Sequence, residues 1–174
     1  MPARRLRRRI GWLSGIDLSP AMIAEAARKG VYDELAMGDL TYGLGGEAES
    51  CDLVTAADVL IYLGDLAPVF AGVARALVPS GLFAFSVQSL KDGAGGPGWA
   101  LGEDMRYHHS RGYLEALAAA NNLRPAHVEA VVCRCDRGLP VDGLLFILSK
   151  PEAGLRSAPD FGDDSQADDG LLPN

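Results

Sequence analysis

Three aspartates follow three short apolar segments of this sequence, at the positions where strands would end. Asp17 follows LSGI, Asp39 follows ELAMG, and Asp58 follows CDLVTAA. In open α/β sheets, ligands bind beyond the carboxyl ends of the strands. A carboxylate at the first position can accept hydrogen bonds from both hydroxyls of a ribose, and one at the second can accept the amino group of an adenine. The pair therefore predicts a nucleotide site, and the third aspartate would face the reactive end of the ligand or its substrate.

Each aspartate also has a structural interpretation, and the residues alone leave both open. Asp17 can lie at the positive end of a helix dipole, Asp39 can stabilise a turn, and Asp58 can act as a cap. The apolar residues predicted to contact the adenine are Leu18, Met22 and Leu40.

The first elements predict a parallel sheet with helices on both faces. A strand over 13–18 is followed by a helix that begins at Ser19 and Pro20, a good N-cap and a good first helical residue, and ends at Gly30. A short strand over 35–37 comes next. The residues predicted to form the buried stripe of this helix are Met22, Ile23 and Ala26.

The same alternation continues. A nearly continuous apolar strand over 51–57 should be covered on both faces, a helix capped by Asp65 follows, and the PSG turn leads into the strand LFAFSV. Strands that alternate with helices in this way indicate an α/β fold with a mostly parallel sheet.

The second half predicts a lid and a hairpin. The glycine-rich segment 90–106 is long enough to be a lid or a binding loop. Ser110 caps a further helix, and two β-rich segments over 128–135 and 144–149 form an antiparallel hairpin. After Pro151 the sequence becomes polar and acidic, which predicts a disordered tail.

These motifs resemble the class I S-adenosylmethionine-dependent methyltransferases. The resemblance is carried by IDLSPAMIAEAARKG, YDELAMGDL and CDLVTAADVLIYLGDLAPVFAGVARALVPSGLFAFSV in order, and it covers roughly residues 6 to 150. The bacterial group associated with tetratricopeptide repeats is most similar. The resemblance implies a Rossmann-like sheet closed by the antiparallel hairpin, S-adenosylmethionine as cofactor, and a small-molecule or protein methyl acceptor.

The resemblance also implies the role of each site residue. Asp17 would bind the ribose, Leu18 and Met22 the adenine faces, Asp39 and Leu40 the adenine edge, and Asp58 the methionine end of the cofactor. The segment RYHHS would place Tyr107 and His109 near the acceptor. Direct displacement of the methyl group needs a general base only if the acceptor must first lose a proton. His109 and Tyr62 are the candidates for that base, although His108 and His109 are also typical of an exposed loop pair.

One departure from the family pattern concerns the first strand and its Gly-x-Gly-x-Gly loop. Nothing like this loop precedes Asp17, and the arginine-rich start cannot be a buried central strand because burying unpaired charges is costly. We therefore expect that the first strand is missing, that strand edges are exposed, and that these edges could pair with another chain. The expected units are a basic helical segment over 1–12, a methyltransferase-like domain over 13–150 and the tail over 151–174. Translating the coding DNA upstream of Met1 would show whether the missing strand is encoded there.

Composition narrows the remaining alternatives. The chain has 174 residues, a net charge of −7 and three cysteines. It has no long apolar run and no recognisable export signal, so we expect a cytoplasmic protein without a membrane partner. The five arginines near the start have no interleaved aromatic residues, so nucleic acid is not an expected partner. Cys133 and Cys135 should lie on one strand face as packing residues, and no metal site is predicted. A dinucleotide-binding domain and a non-catalytic interaction module remain as alternative functions.

Overall fold

The computed structural model of this chain describes residues 7, 9–44, 46, 48–91, 96–136 and 138–152. Within these residues the strands are β1 (Ser14–Asp17), β2 (Glu34–Met37), β3 (Cys51–Ala56), β4 (Leu77–Leu90), β5 (Trp99–Leu101), β6 (Tyr107–Ser110), β7 (Arg124–Asp136) and β8 (Leu139–Ser149). The helices are α1 (Pro20–Arg28), α2 (Leu40–Gly43), α3 (Ala67–Ala76) and α4 (Arg111–Ala120), with a 3₁₀ turn at Leu60–Tyr62. The predicted tail after Pro151 and most of the arginine-rich start lie outside the described residues.

The strands form two sheets. β1 and β2 pair in parallel. In the larger sheet, β4 pairs in parallel with β3 along Leu77–Phe85 and with β6 along Gln88–Leu90, and it pairs antiparallel with β8 on its other edge. β7 and β8 form the antiparallel hairpin that the sequence predicts. The α/β fold class is confirmed.

The core lies between the larger sheet and the helices α3 and α4. Phe83, Phe85 and Val87 alternate along β4 and are fully buried or nearly so, as expected when one strand face is covered. The Phe70 ring of α3 meets Phe83 and Phe85 edge-on, with centroids 5.7 and 5.5 Å apart, a geometry that aromatic pairs favour. On β8, the Phe146 ring stacks on Phe85 at 5.3 Å. This aromatic cluster holds β4 in place under the site.

The helix cap predicted at Ser110 is confirmed, and Asp65 binds the start of α3 from one residue before its N-cap, Leu66. The Ser110 hydroxyl accepts a hydrogen bond from the Tyr113 N–H at the start of α4. The Asp65 carboxylate accepts one from the Ala67 N–H at the start of α3. Each bond satisfies a backbone donor that has no partner within the helix.

The turn predicted at Pro79–Gly81 is wrong as a strand boundary. β4 begins at Leu77, directly where α3 ends, and runs through this segment. Ser80 has a φ of +65°, and the register against β3 shifts between Cys51 and Leu53. The Ser80 N–H donates to the Lys150 carbonyl at 2.9 Å. This bond to the residue that follows β8 keeps the irregular segment in the sheet, so the strand continues where the sequence predicted a turn.

Three further expectations about burial and helicity are wrong. Met22 on α1 is 51% exposed, and Leu53 on β3 is 37% exposed, although both were predicted to be buried. Of the segment 1–12 that was predicted to be helical, the described residues 7 and 9–12 are not helical; Arg7 instead binds the Asp33 carboxylate through two hydrogen bonds. In each case the spacing of apolar residues predicted a buried face, but no element among the described residues packs against that face.

The edges of two parallel strands carry no described partner. Among the described residues β1 pairs with β2 only, and β3 pairs with β4 only.

Candidate cofactor and acceptor site

Asp17 and Asp39 lie at the same end of the small parallel sheet. Asp17 is in register with Met37, and the Gly38 N–H donates to the Asp17 carbonyl at 3.1 Å. Asp39 follows directly. Since the carboxyl ends of parallel strands meet at one sheet edge, the structure brings together the two aspartates that the sequence singled out.

Both carboxylates are held by the backbone that follows them. One oxygen of Asp17 accepts the Ser19 N–H at 2.8 Å. One oxygen of Asp39 accepts the Thr41 N–H and hydroxyl, each at 2.8 Å, and these bonds hold the pKa of the Asp39 carboxyl below its usual value. The second oxygen of each makes no hydrogen bond to a described residue. Each aspartate is thus oriented locally and keeps one oxygen that can accept from a ligand.

Exposed apolar side chains lie close in sequence to these two aspartates. Leu18 is 67% exposed and Met37 is 66% exposed, and Met22 is exposed as well. Leu40 is half-buried and packs against the core. Met37 was missed by the sequence analysis, although its position directly before Gly38 and Asp39 could have indicated it.

These residues fit the adenosine half of S-adenosylmethionine. Exposed apolar side chains suit the flat faces of an adenine, and oriented carboxylate oxygens suit hydroxyl and amino donors. The fit is judged from this chain's own side chains. Exposed apolar groups on a protein surface often mark a binding site, and here they occur with two carboxylates that each keep one oxygen without a described hydrogen bond.

Asp58 occupies the end of β3 in a strained conformation. Its φ is +58°, which is uncommon for a residue other than glycine. Its N–H donates to the Ser86 hydroxyl at 3.0 Å, while its carboxylate is largely exposed and lies 3.8 Å from an Arg134 guanidinium nitrogen. Strain of this kind tends to persist at functional positions.

A polar cluster missed by the sequence analysis lies beyond the end of β4, with Asp104 at its centre. The Asp104 carboxylate accepts hydrogen bonds from Arg134 at 2.9 Å, from the buried Gln88 amide at 3.1 Å, and from the Arg106 N–H at 3.2 Å. Burial by itself would raise the pKa of Asp104, but the hydrogen bonds from Gln88 and the Arg106 N–H, together with nearby His108, outweigh it, so its pKa lies below the usual value. The glycine-rich loop is thereby tied to both β4 and β7.

His109 does not lie at an open site. The expectation of an exposed histidine pair is wrong, because His108 and His109 belong to β6 and His109 is fully buried. Its Nε2 lies 3.0 Å from the Gly64 carbonyl oxygen, and burial lowers its pKa. A ring that is fully buried and has a lowered pKa is a poor acceptor for a substrate proton.

Tyr62, the other candidate base, is on the surface. Its ring is 61% exposed, and it follows the strand end at Asp58. The Arg106 guanidinium lies over the ring, 5.4 Å from its centroid, and donates to its hydroxyl at 3.4 Å.

Cys133 packs against β4, whereas Cys135 is exposed. The Cys133 thiol donates to the Val87 carbonyl at 3.4 Å, and burial raises its pKa. β7 is irregular between Val132 and Arg134, so the simple alternation predicted for Cys133 and Cys135 does not hold. In the described part of the chain, no group of three or more histidine, cysteine or acidic side chains is placed to hold a metal ion.

Comparison with known proteins gives the family of the first half. Residues 1–85 match the family described as a methyltransferase domain. This match covers just under half of the 174 residues. No curated protein matches the sequence significantly.

Solved structures extend this result to the whole fold. A methyltransferase from Methanosarcina mazei is 15% identical, with a TM-score of 0.68 over 86% of this chain and 87% of its own. One from Mesorhizobium loti is 22% identical, with a TM-score of 0.59 over 79% and 80%. A Burkholderia thailandensis 1,6-didemethyltoxoflavin N1-methyltransferase, solved with S-adenosylhomocysteine, is 18% identical, with a TM-score of 0.61 over 80% and 61%. The chain therefore has the Rossmann-like fold that these methyltransferase structures share.

Together the domain and the fold support an S-adenosylmethionine-dependent methyltransferase, with that molecule as the methyl donor. They do not favour a dinucleotide-binding domain or a non-catalytic module. None of the helices in the described ranges is long and apolar enough to cross a membrane.

Proposed function

We propose that the methyltransferase domain binds S-adenosylmethionine at the carboxyl ends of β1, β2 and β3 and transfers its methyl group to a small-molecule or protein acceptor. The observation that carries this proposal is the shared sheet edge of Asp17 and Asp39, each with one oriented carboxylate oxygen left for a ligand. Asp17 takes the ribose hydroxyls and Asp39 the adenine amino group. The apolar contacts to the adenine come from Leu18, Met22 and Leu40.

Asp58 takes the methionine end of the cofactor. Its exposed carboxylate at the end of β3 supports this role, because the methionine part carries an ammonium group that a carboxylate attracts. When bound, the cofactor supplies an electrophilic methyl group on a sulfonium ion. The protein's contribution is to hold donor and acceptor in line and to exclude water, which can supply much of the rate enhancement.

A proton acceptor is required only for an acceptor that must be deprotonated. Of the two candidates, Tyr62 is accessible beside the end of β3, whereas His109 is enclosed by the core. Tyr62 is therefore our preferred candidate, and His109 would need a local rearrangement to take this role.

Calorimetry with S-adenosylhomocysteine tests the cofactor site. Asp17→Asn should weaken binding by about tenfold or more, since hydrogen bonds to charged groups contribute roughly 1.5–3 kcal/mol. Asp52→Asn, the same change on an exposed residue of β3, is the matched control and should bind normally. Absence of heat from folded wild-type protein at millimolar ligand would refute the proposal, and equal affinities for the two variants would refute the role of Asp17.

We also infer that the first strand of the family, with its glycine-rich loop, is not among the described residues and would lie between β1 and β3. The unpaired edges of both strands support this inference. Hydrogen exchange tests it: outward-facing amides of β1 and β3 should exchange much faster than those of β4, because exposed backbone groups lack protection. Protection that appears only at high protein concentration would indicate instead that another chain pairs with these edges.

The finer assignments are part of the same proposal. We assign the protein to the group associated with tetratricopeptide repeats and to the cytoplasm. We also place the domain limits at residues 13 and 150 and expect no nucleic-acid partner. The compact loop and hairpin contacts up to Lys150 support the C-terminal limit.

A further inference from the structure

Arg106 lies beside Tyr62, close to the end of β3, and has no acidic partner among the described residues. The arginines whose guanidinium groups lie within 4 Å of a described carboxylate are Arg7, Arg28, Arg111 and Arg134. For Arg106 no such carboxylate is found among the described residues. Its side-chain contacts are the Tyr62 hydroxyl at 3.4 Å and the Asp104 carbonyl at 3.5 Å, and its buried Nε has no hydrogen-bond partner.

This arrangement is unfavourable unless an anion binds. A half-buried guanidinium loses part of its hydration. Without a carboxylate nearby, no ion pair offsets the free-energy cost of that loss. Scarcity of acids does not explain it, since the chain has 23 acidic and 16 basic residues. The nearest acid in sequence, Asp104, directs its carboxylate to Arg134, Gln88 and the backbone instead.

The guanidinium is nevertheless held in position. Its face lies over the Tyr62 ring, a contact that favours a cation. The Arg106 N–H is fixed to Asp104, and Asp104 is fixed to β4 and β7. Met105, directly before it, has a φ of +58° and is 74% exposed. A charge that is held in advance of binding loses little entropy when a ligand arrives.

We propose that Arg106 binds a carboxylate of the methyl acceptor and that Tyr62 and Met105 contact the apolar part of the same molecule. This inference rests on the proposed methyl-transfer function and names the class of acceptor: a small organic carboxylate with an apolar or aromatic body. A single planar guanidinium matches a carboxylate through two parallel hydrogen bonds. A phosphate dianion suits the site less well, because Asp58 and Asp104 lie nearby and Arg134 is already paired with them.

The methionine carboxylate of the cofactor has the same chemistry, so the experiment must distinguish the two sources. Protein saturated with S-adenosylhomocysteine is titrated with benzoate, and the side-chain Nε–H signal of Arg106 is followed by NMR. Benzamide, which lacks the charge, is the matched ligand. We expect saturable shifts with benzoate only, and an affinity at least about tenfold lower in Arg106→Gln, the loss expected for a charge-assisted hydrogen bond. Arg106→Lys should retain an intermediate affinity, and Arg111→Gln, on the surface of α4, should match wild type.

Three results would overturn the proposal. Benzamide that binds as well as benzoate would show that charge is not recognised, and benzoate that binds Arg106→Gln normally would place the anion elsewhere. Weaker S-adenosylhomocysteine binding in Arg106→Gln, with unchanged binding of methylthioadenosine, would assign Arg106 to the cofactor. Failure of the wild-type protein to bind S-adenosylhomocysteine would instead count against the cofactor site itself.

Discussion

Replacement of His109 by glutamine should remove an acid-induced loss of stability. The His109 ring is fully buried, its Nε2 lies 3.0 Å from the Gly64 carbonyl, and its Nδ1 has no partner. Burial lowers its pKa, so the folded protein keeps the ring neutral where the unfolded chain, with a pKa of about 6.5, binds a proton. His109 therefore contributes stability that is present above about pH 6.5 and is lost as the pH falls toward the folded-state pKa.

The size of this effect follows from proton linkage. If the folded ring stays neutral, the free energy of unfolding falls by about 1.4 kcal/mol between about pH 7.5 and pH 5.5 through His109 alone. Glutamine keeps an N–H donor of similar reach toward Gly64 but does not titrate. The difference in unfolding free energy between these two pH values should therefore shrink by about that amount in the variant. The groups closest to the ring are Tyr113, which stacks on it, and neighbouring His108. The pKa of Tyr113 is raised to about 12 by burial, so it does not titrate in this range.

Urea unfolding at a series of pH values, followed by circular dichroism, measures the effect. Leu114→Ala is a suitable control, because it removes a buried side chain of α4 and lowers stability while retaining His109. An identical pH dependence in wild type and His109→Gln would refute the reasoning, since it would mean that the folded protein binds a proton at this ring as readily as the unfolded chain.

Three further predictions concern the core and the loop. Gly143→Ala should lower the free energy of unfolding by about 1–3 kcal/mol, because a Cβ would overlap the Cys133 thiol and lie 2.5 Å from the Val87 carbonyl. The control Gly46→Ala, with nothing within 4 Å of the new Cβ, should change the free energy of unfolding little in the same urea titration. Equal losses in the two variants would contradict the packing at Gly143. Phe70→Ala should cost about 3–5 kcal/mol, and a loss below 1 kcal/mol would show that the aromatic cluster is not tightly packed. Asp104→Asn should speed amide exchange in 102–106 but not in α3, because it weakens the bonds that tie this loop to the sheet; unchanged exchange in the loop would disprove its anchoring role.

Local sequence signals predicted much of the fold, because they depend on neighbouring residues. Ser19 and Ser110 accept hydrogen bonds at the helix starts where they were expected. The helix predicted to follow Asp65 and the strand predicted at LFAFSV both form, and Phe70 and Phe85 within them are buried. The strand–helix–strand order placed Asp17 and Asp39 at one sheet edge, since parallel strands in such a unit end on the same side.

Interactions between distant segments could not be read in this way. Arg134 is 30 residues from Asp104, and nothing in either segment indicates that they meet. The residues Pro79–Gly81 favour a turn, but they continue β4 because hydrogen bonds to the chain at the end of β8 outweigh that local preference. The adjacent histidines gave no indication that His109 would be enclosed by the core.

The sequence by itself determined the fold class, the methyl-donor family that it resembles, and two aspartates at the strand ends, because these follow from periodicity and from motifs of adjacent residues. The tertiary structure alone decided which polar groups are paired. It paired Arg134 with Asp58 and Asp104, buried His109, and placed Arg106 over Tyr62 with no described carboxylate within 4 Å. The physical reason is that pairing and burial depend on which distant chain segments pack together, and these contacts determine where charge remains for a ligand.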